Sequence, residues 1–409
     1  MLRLAGGLGV LAVLGGCERH RTPAVPDSGE LLQVATGKGL AVLDTGAGRT
    51  VVAPGAALAT RDRRRLVNAT ADGVGTRITV CDASDAGTVA EATVRGTLSP
   101  RALTSDASLV ALVEGAAADV YRPRGRASTT IVVAGATGER NRLTLTGCVE
   151  PEAFSTDRSR LFVLDYLPPQ QPDHYRVRAL DLASGALEPL LTRLKQVVPT
   201  GAEETMRGEG RQAVFDPGRQ QLFTLYTHQP DHEHTRDLVN AGAREGKPDV
   251  HAFVHTLSLE GGWAYCIDLP EPFGTGAAEG HAIARSPSGT MLFVVDAGSG
   301  AVANLDPDAL TVRRVARFAP VQGAASACFG PDARRLYVAA GTRLLSVDTN
   351  TLAVAATWTL PAEAHGVAVG AKAIYVGQPE AIAAVDPATG ELTRTFPAPG
   401  LLTAVGLVA

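Results

Sequence analysis

The 409-residue chain has no basic excess: 38 Lys and Arg are spread along it against 42 Asp and Glu, for a net charge of −4. That excludes the electrostatic footprint of a nucleic-acid binder, so no nucleic acid is expected among its partners. Sustained helical periodicity is missing, which argues against an α or α/β protein. The apolar run near the start, Leu4–Leu14, is too short to span a bilayer as a helix. There is no P-loop, no GxGxxG after a strand, no GxSxG elbow and no HExxH, and no nucleophile stands in a familiar context. The reading therefore leans away from an enzyme. Cys81, Cys148, Cys266 and Cys328 form no CxxC pair and no zinc spacing. Either disulfides in one of three pairings or buried free thiols are compatible with them.

Glycine (44) and proline (25) are plentiful, as a fold with many tight turns requires. Met1-Leu2-Arg3 is a short positive segment, Leu4–Leu14 follows it, and Leu14-Gly15-Gly16-Cys17 closes the stretch. This layout suits a signal peptide over residues 1–16. The small pair before Cys17 resembles the lipobox of bacterial lipoproteins, which implies lipidation of Cys17 and a chain anchored at the extracytoplasmic face of a bacterial cell membrane. Residues 17–30, with ERHRTPAVPDSGE, are polar and non-periodic and read as a flexible tether.

From residue 31 onward two signatures alternate. One is a turn followed by a strand, as in RSPSGTMLFVV (Arg285–Val295) and FGPDARRLYVA (Phe329–Ala339). The other is a strand, an Asp, a small turn and a strand, as in VANLDPDALTVRRV (Val302–Val315) and IAAVDPATGELTRT (Ile382–Thr395). Short strands with a period near forty residues indicate an all-β fold, a single β-propeller of four-stranded antiparallel blades over residues 31–409. The first turns between strands A and B, the second between C and D. Seven internal units, plus one blade shared by Leu31–Ala53 and Leu401–Val408, count to eight, though seven is the commoner number. These residues resemble the bacterial surface-type propellers called YVTN or WD40-like repeat proteins. That likeness implies the fold and leaves the function open.

Three insertions interrupt the repeat: Tyr166–His174, Leu194–Gly210 and Thr227–Val250. Strand alternation puts all three on one face, because B–C and D–A connections emerge together. One-sided long loops on a rigid scaffold suggest a binding surface for a protein or small-molecule ligand in blades four and five. At the channel mouth of that face the strand A segments begin with Glu150, Arg211, His281, Ala325 and His365, and Glu209, Glu279 and Glu363 stand two residues earlier in three of them. This collar could bind a ligand, or Glu150, Arg211, His281 and His365 could act as acid, base or metal site in a lyase or lactonase of the propeller kind. A solvated, purely structural mouth is the alternative. Blade five adds His228, His232, His234, His251 and His255. They are candidates for a divalent metal, the one cofactor the sequence admits, or for a hydrogen-bonded ordering of the loop. The expected function is an extracytoplasmic, lipid-anchored binding or scaffold propeller, with a metal-dependent enzyme and a structural envelope protein as alternatives.

Overall fold

Several of the A–B signatures are turns built around one hydroxyl. In blade two Thr60 Oγ1 donates to Asp62 Oδ1 (2.6 Å) and accepts from the Arg65 peptide N–H (3.0 Å). Thr104 repeats this with Asp106 and Leu109 (2.8 and 3.0 Å), and Ser155 with Asp157 and Arg160 (2.6 and 2.9 Å). Such side-chain bonds give the backbone a local substitute for ladder pairing and so end a strand. The C–D signature works through its aspartate. Asp306 Oδ1 accepts the N–H groups of Asp308 and Ala309 (2.9 Å each), and Asp386 those of Ala388 and Thr389 (2.8 and 2.9 Å).

The computed structural model describes residues 29–73, 75–115, 122–240 and 252–409. The signal and lipidation segment, and His251, lie outside these residues. The turns join the strands into eight sheets, one per blade. Leu401–Leu407 pairs antiparallel with Leu31–Thr36, Leu32 opposite Leu407, so the ends of the chain share blade one and close the ring. No open edge is left there. Arg63 and Arg64 fasten that closure to blade two by donating to the carbonyls of Leu407 (3.1 Å) and Ala409 (2.8 Å).

Blade five departs from the four-stranded rule. After the last strand of blade four, Leu187–Pro189, the chain crosses over, and Leu191–Thr192 adds parallel to Trp263–Asp268 as a fifth strand. The long connection thus begins by capping the outer edge of blade five. All four cysteines described are free thiols. The only α-helix among the described residues is Thr235–Val239, and none of their helices is long and apolar enough to cross a membrane.

Apolar side chains fill the gaps between neighbouring blades. Between blades two and three the filling is aliphatic: Val67, Ile78, Leu112 and Val132. Between blades four and five it is largely aromatic. Tyr166, Tyr175, Tyr226 and Phe253 follow one another at centroid distances of 5.0, 6.3 and 5.3 Å, joined by Met206 and Cys266. This interface, with its own side-chain set, carries the site described below.

The turn aspartates also shape the acid response. Burial alone would raise Asp106, but bonds from Ser108 and Thr104, then Arg158, hold it down to about 2. A carboxylate depressed in the folded state stabilises above its unfolded value near 3.9, and that contribution is lost as pH falls towards the folded value. Asp106→Asn should therefore flatten the melting-temperature profile between roughly pH 4 and 2. The change will be modest because the side chain is half exposed. An unaltered acid limb would contradict the assignment.

Candidate functional site

Two insertions meet over the cleft between blades four and five. Arg176 and Arg178, on strand C of blade four (His174–Asp181), grip Glu203 of the D–A connection with bonds of 2.7–2.9 Å. Met206 and Tyr175 exchange two backbone bonds (2.8 and 2.9 Å). The carboxamide of Gln229, in the B–C loop of blade five, accepts from the Arg207 N–H and donates to its carbonyl, both at 2.9 Å. These contacts fix Glu204 above the cleft and bring His232 and His234 to it.

The blade supplies the floor. Strands C (Phe253–Ser258) and D (Trp263–Asp268) of blade five pair antiparallel with His255 opposite Cys266. Glu204 is the hub. Its carboxylate lies 3.3 Å from His234 Nδ1, 3.8 Å from His232 Nε2, 3.6 Å from His255 Nε2 and 3.3 Å from Cys266 Sγ. His232 Nε2 and His234 Nδ1 are 3.1 Å apart. Ligands on a tetrahedral zinc at 2.0–2.3 Å sit roughly 3.3–3.8 Å from one another. Two overlapping donor sets share Glu204: one with His232 and His234, the other with His255 and Cys266.

The far sides of the rings are already committed. His232 Nδ1 donates to the Thr205 carbonyl (3.0 Å), and His234 Nε2 donates to Asp268. Arg236 holds the other oxygen of Asp268 (2.6 Å). With those protons placed outward, His232 Nε2 and His234 Nδ1 turn lone pairs towards each other and towards the Glu204 carboxylate. Three acceptors at this spacing, with both rings 2% exposed, require a shared proton or cation. An outer carbonyl or carboxylate orienting each imidazole is the usual support of a metal-binding histidine.

The electrostatics agree. Burial would raise Glu204, but His232 and His234 hold it well below the usual carboxylate range. Burial lowers His234, yet Asp268 and Glu204 leave it above its ordinary value. Burial, reinforced by Glu204, pushes the Cys266 thiol well up, so it stays protonated until a metal displaces the proton. Burial, helped by Arg211, His232 and His234, depresses His255 against the pull of Glu204.

The remaining candidates lie elsewhere. His228 Nε2 donates to the Gly276 carbonyl (2.6 Å), and its ring is 6.3 Å from that of His281. His281 is fully buried, with Nδ1 donating to Ala277 O and Nε2 accepting from the Gly274 N–H, both at 3.0 Å. Glu150, 1% exposed, is held by Arg101 (2.9 Å) and Arg126 (2.8 Å), and Arg211 pairs with Glu152. His365 is half-buried, and its backbone N–H donates to the Gly377 carbonyl (2.7 Å). Glu209, Glu279 and Glu363 are exposed. No contact described joins His365 to the cleft.

Sequence reasoning named neither Glu204 nor Asp268 as ligand or support, and gave Cys266 only as a disulfide half or a buried free thiol. Cys266 was within reach: folding the hairpin on its Ser258–Gly262 turn places it opposite His255. Glu204 comes from a connection without repeat character and carried no such signal.

No protein-family model matches the chain, and no curated protein matches it. Among solved structures, dihydro-heme d1 dehydrogenase NirN in complex with DHE is similar at 14% identity and a TM-score of 0.54, covering 94% of this chain and 76% of that one. Apo AztD from Citrobacter koseri is 12% identical with a TM-score of 0.53, over 92% of this chain and 96% of the other. At such identities the likeness is one of fold, the propeller.

Proposed function

We propose that this chain is an extracytoplasmic, lipid-anchored propeller that binds a divalent transition-metal ion between blades four and five. The observation that carries the reading is the convergence of His232 Nε2, His234 Nδ1 and Glu204 on one buried point, each ring oriented from outside. His255 and Cys266 complete the donor supply. Imidazole and thiolate with one carboxylate suit zinc and its neighbours rather than calcium or magnesium, which prefer oxygen cages. The loop-bearing face holds the ion, and the rigid blades keep the donors in place. The channel-mouth enzyme reading has less support, because Glu150 and His281 are consumed in internal bonds.

Zinc titration against a competing chelator tests this. One ion per chain should bind, magnesium should not compete, and Asp268→Asn should weaken zinc about 10–100-fold by loosening His234. Zinc binding no tighter than magnesium binding would overturn the reading. The anchor rests on the lipobox-like Leu14–Cys17. Mass spectrometry of the mature N-terminal peptide should find acylated Cys17, and an unmodified Met1 start would refute it.

A further inference from the structure

The donor cluster does not sit alone. It forms one wall of a cavity of ≈ 240 Å³ that opens between blades four and five. Glu204, His234, His255 and Cys266 all line it, whereas His232 stacks on Phe253 at 4.3 Å and lies behind. The opposite walls are apolar, from Val177, Leu190, Leu191 and Ala264. An apolar cavity of about 150 Å³ already accepts benzene, so this one admits a ring or short chain. Around the mouth two large apolar side chains face solvent: Leu194 (80% exposed) and Val239 (47%). Solvent-facing apolar groups gathered at the rim of a pocket commonly mark a binding site.

The mouth also carries positive charge. The guanidinium carbons of Arg193 and Arg236 lie 5.5 and 5.2 Å from the centre of the Tyr265 ring. Arg236 is paired with Asp268, but Arg193 donates to the main-chain carbonyls of Asp308 and Ala309 (2.8 and 3.0 Å) and pairs with no carboxylate among the described residues.

We infer that this cavity binds a small organic ligand with an apolar ring or short-chain body and an anionic chelating head that takes up a coordination position on the bound metal. The inference rests on the metal reading above and adds a ligand to it. The donors supply the ion, the aliphatic walls select the body, and Arg193 attracts the head.

Benzohydroxamate is a suitable probe, with acetohydroxamate (head only) and benzamide (ring without chelating head) as controls. On the cobalt(II)-loaded protein, benzohydroxamate should shift the visible cobalt spectrum and bind at least tenfold more tightly than acetohydroxamate. Benzamide should leave the spectrum unchanged. Ala264→Phe, which fills the cavity, should cost benzohydroxamate tenfold or more while cobalt and acetohydroxamate affinities stay within threefold. Leu194→Asp, at an exposed position that folding tolerates, should weaken benzohydroxamate severalfold in the same selective way. Equal affinities for the two hydroxamates, an unshifted spectrum, or cobalt leaving with the probe would overturn the inference while the metal site stands. Failure of cobalt and zinc to bind at all would remove both.

Discussion

Protein carrying His234→Ala is expected to bind zinc at least about 100-fold more weakly than the wild type. Structural zinc sites gain roughly 10–16 kcal/mol from about four ligands, so one donor accounts for around 3 kcal/mol, or two powers of ten. His234 is the donor whose loss should be felt most. It is 2% exposed, its outer nitrogen is held by Asp268, and its inner nitrogen is within 3.3 Å of Glu204. Water cannot readily replace a ring packed at 5.1 Å from Phe253 and 4.6 Å from His232. The side chain belongs to a loop rather than to a blade strand, so the metal-free protein should melt close to the wild-type temperature. Competition titration gives the affinity, and a thermal melt without metal gives the control. An unchanged zinc constant with an unchanged melt would place the site elsewhere.

Glu150→Ala is expected to destabilise the fold by about 3–5 kcal/mol, the usual cost of breaking a buried ion pair from one side. Glu150 is 1% exposed and binds Arg101, itself 6% exposed, through one oxygen and Arg126 through the other. Arg126 also donates to the Val149 carbonyl and to Thr129 Oγ1, which in turn donates to Gly147 O. Removing the carboxylate leaves the buried Arg101 guanidinium without its partner, and loosens a network that ties blade three to blade four. Denaturant titration should show the midpoint shift without a change in far-ultraviolet circular dichroism at low denaturant. A double substitution of Glu150 and Arg101 by Leu and Met should recover part of the loss, because the only charge left without its carboxylate is Arg126, which is 26% exposed and reaches water. A loss below about 1 kcal/mol in the single variant would mean that water reaches the pair, and would return Glu150 to the candidates for chemistry at the channel mouth.

The sequence was more informative about the scaffold than about the site. The hydroxyl–Asp turns at Thr60, Thr104 and Ser155 and the Asp turns at Asp306 and Asp386 depend on residues within five positions of one another. A repeated local device of this kind is readable from spacing, and it placed the strands and the shared blade. Strand alternation also put the long loops on one face, and the histidines of blade five attracted notice by number. Their partition was not readable. His228 turns towards His281, while His232 and His234 go to the cleft with His255, a separation set by where the loop is clamped through Gln229 to Arg207.

The chain by itself therefore determined an all-β ring of repeated blades, its turn chemistry, and which face carries long connections, because each follows from short-range hydrogen bonding and the two-residue period of a strand. Only the tertiary structure decided that blade five has a fifth strand and that Glu204 bridges a His232–His234 pair and a His255–Cys266 pair. It also set Cys266 facing a carboxylate and a cavity. Those facts depend on two irregular loops meeting across a blade boundary. Contacts of that kind are governed by the packing of Tyr175, Met206 and Phe253 and by the Arg grip on Glu203, none of which repeats along the chain.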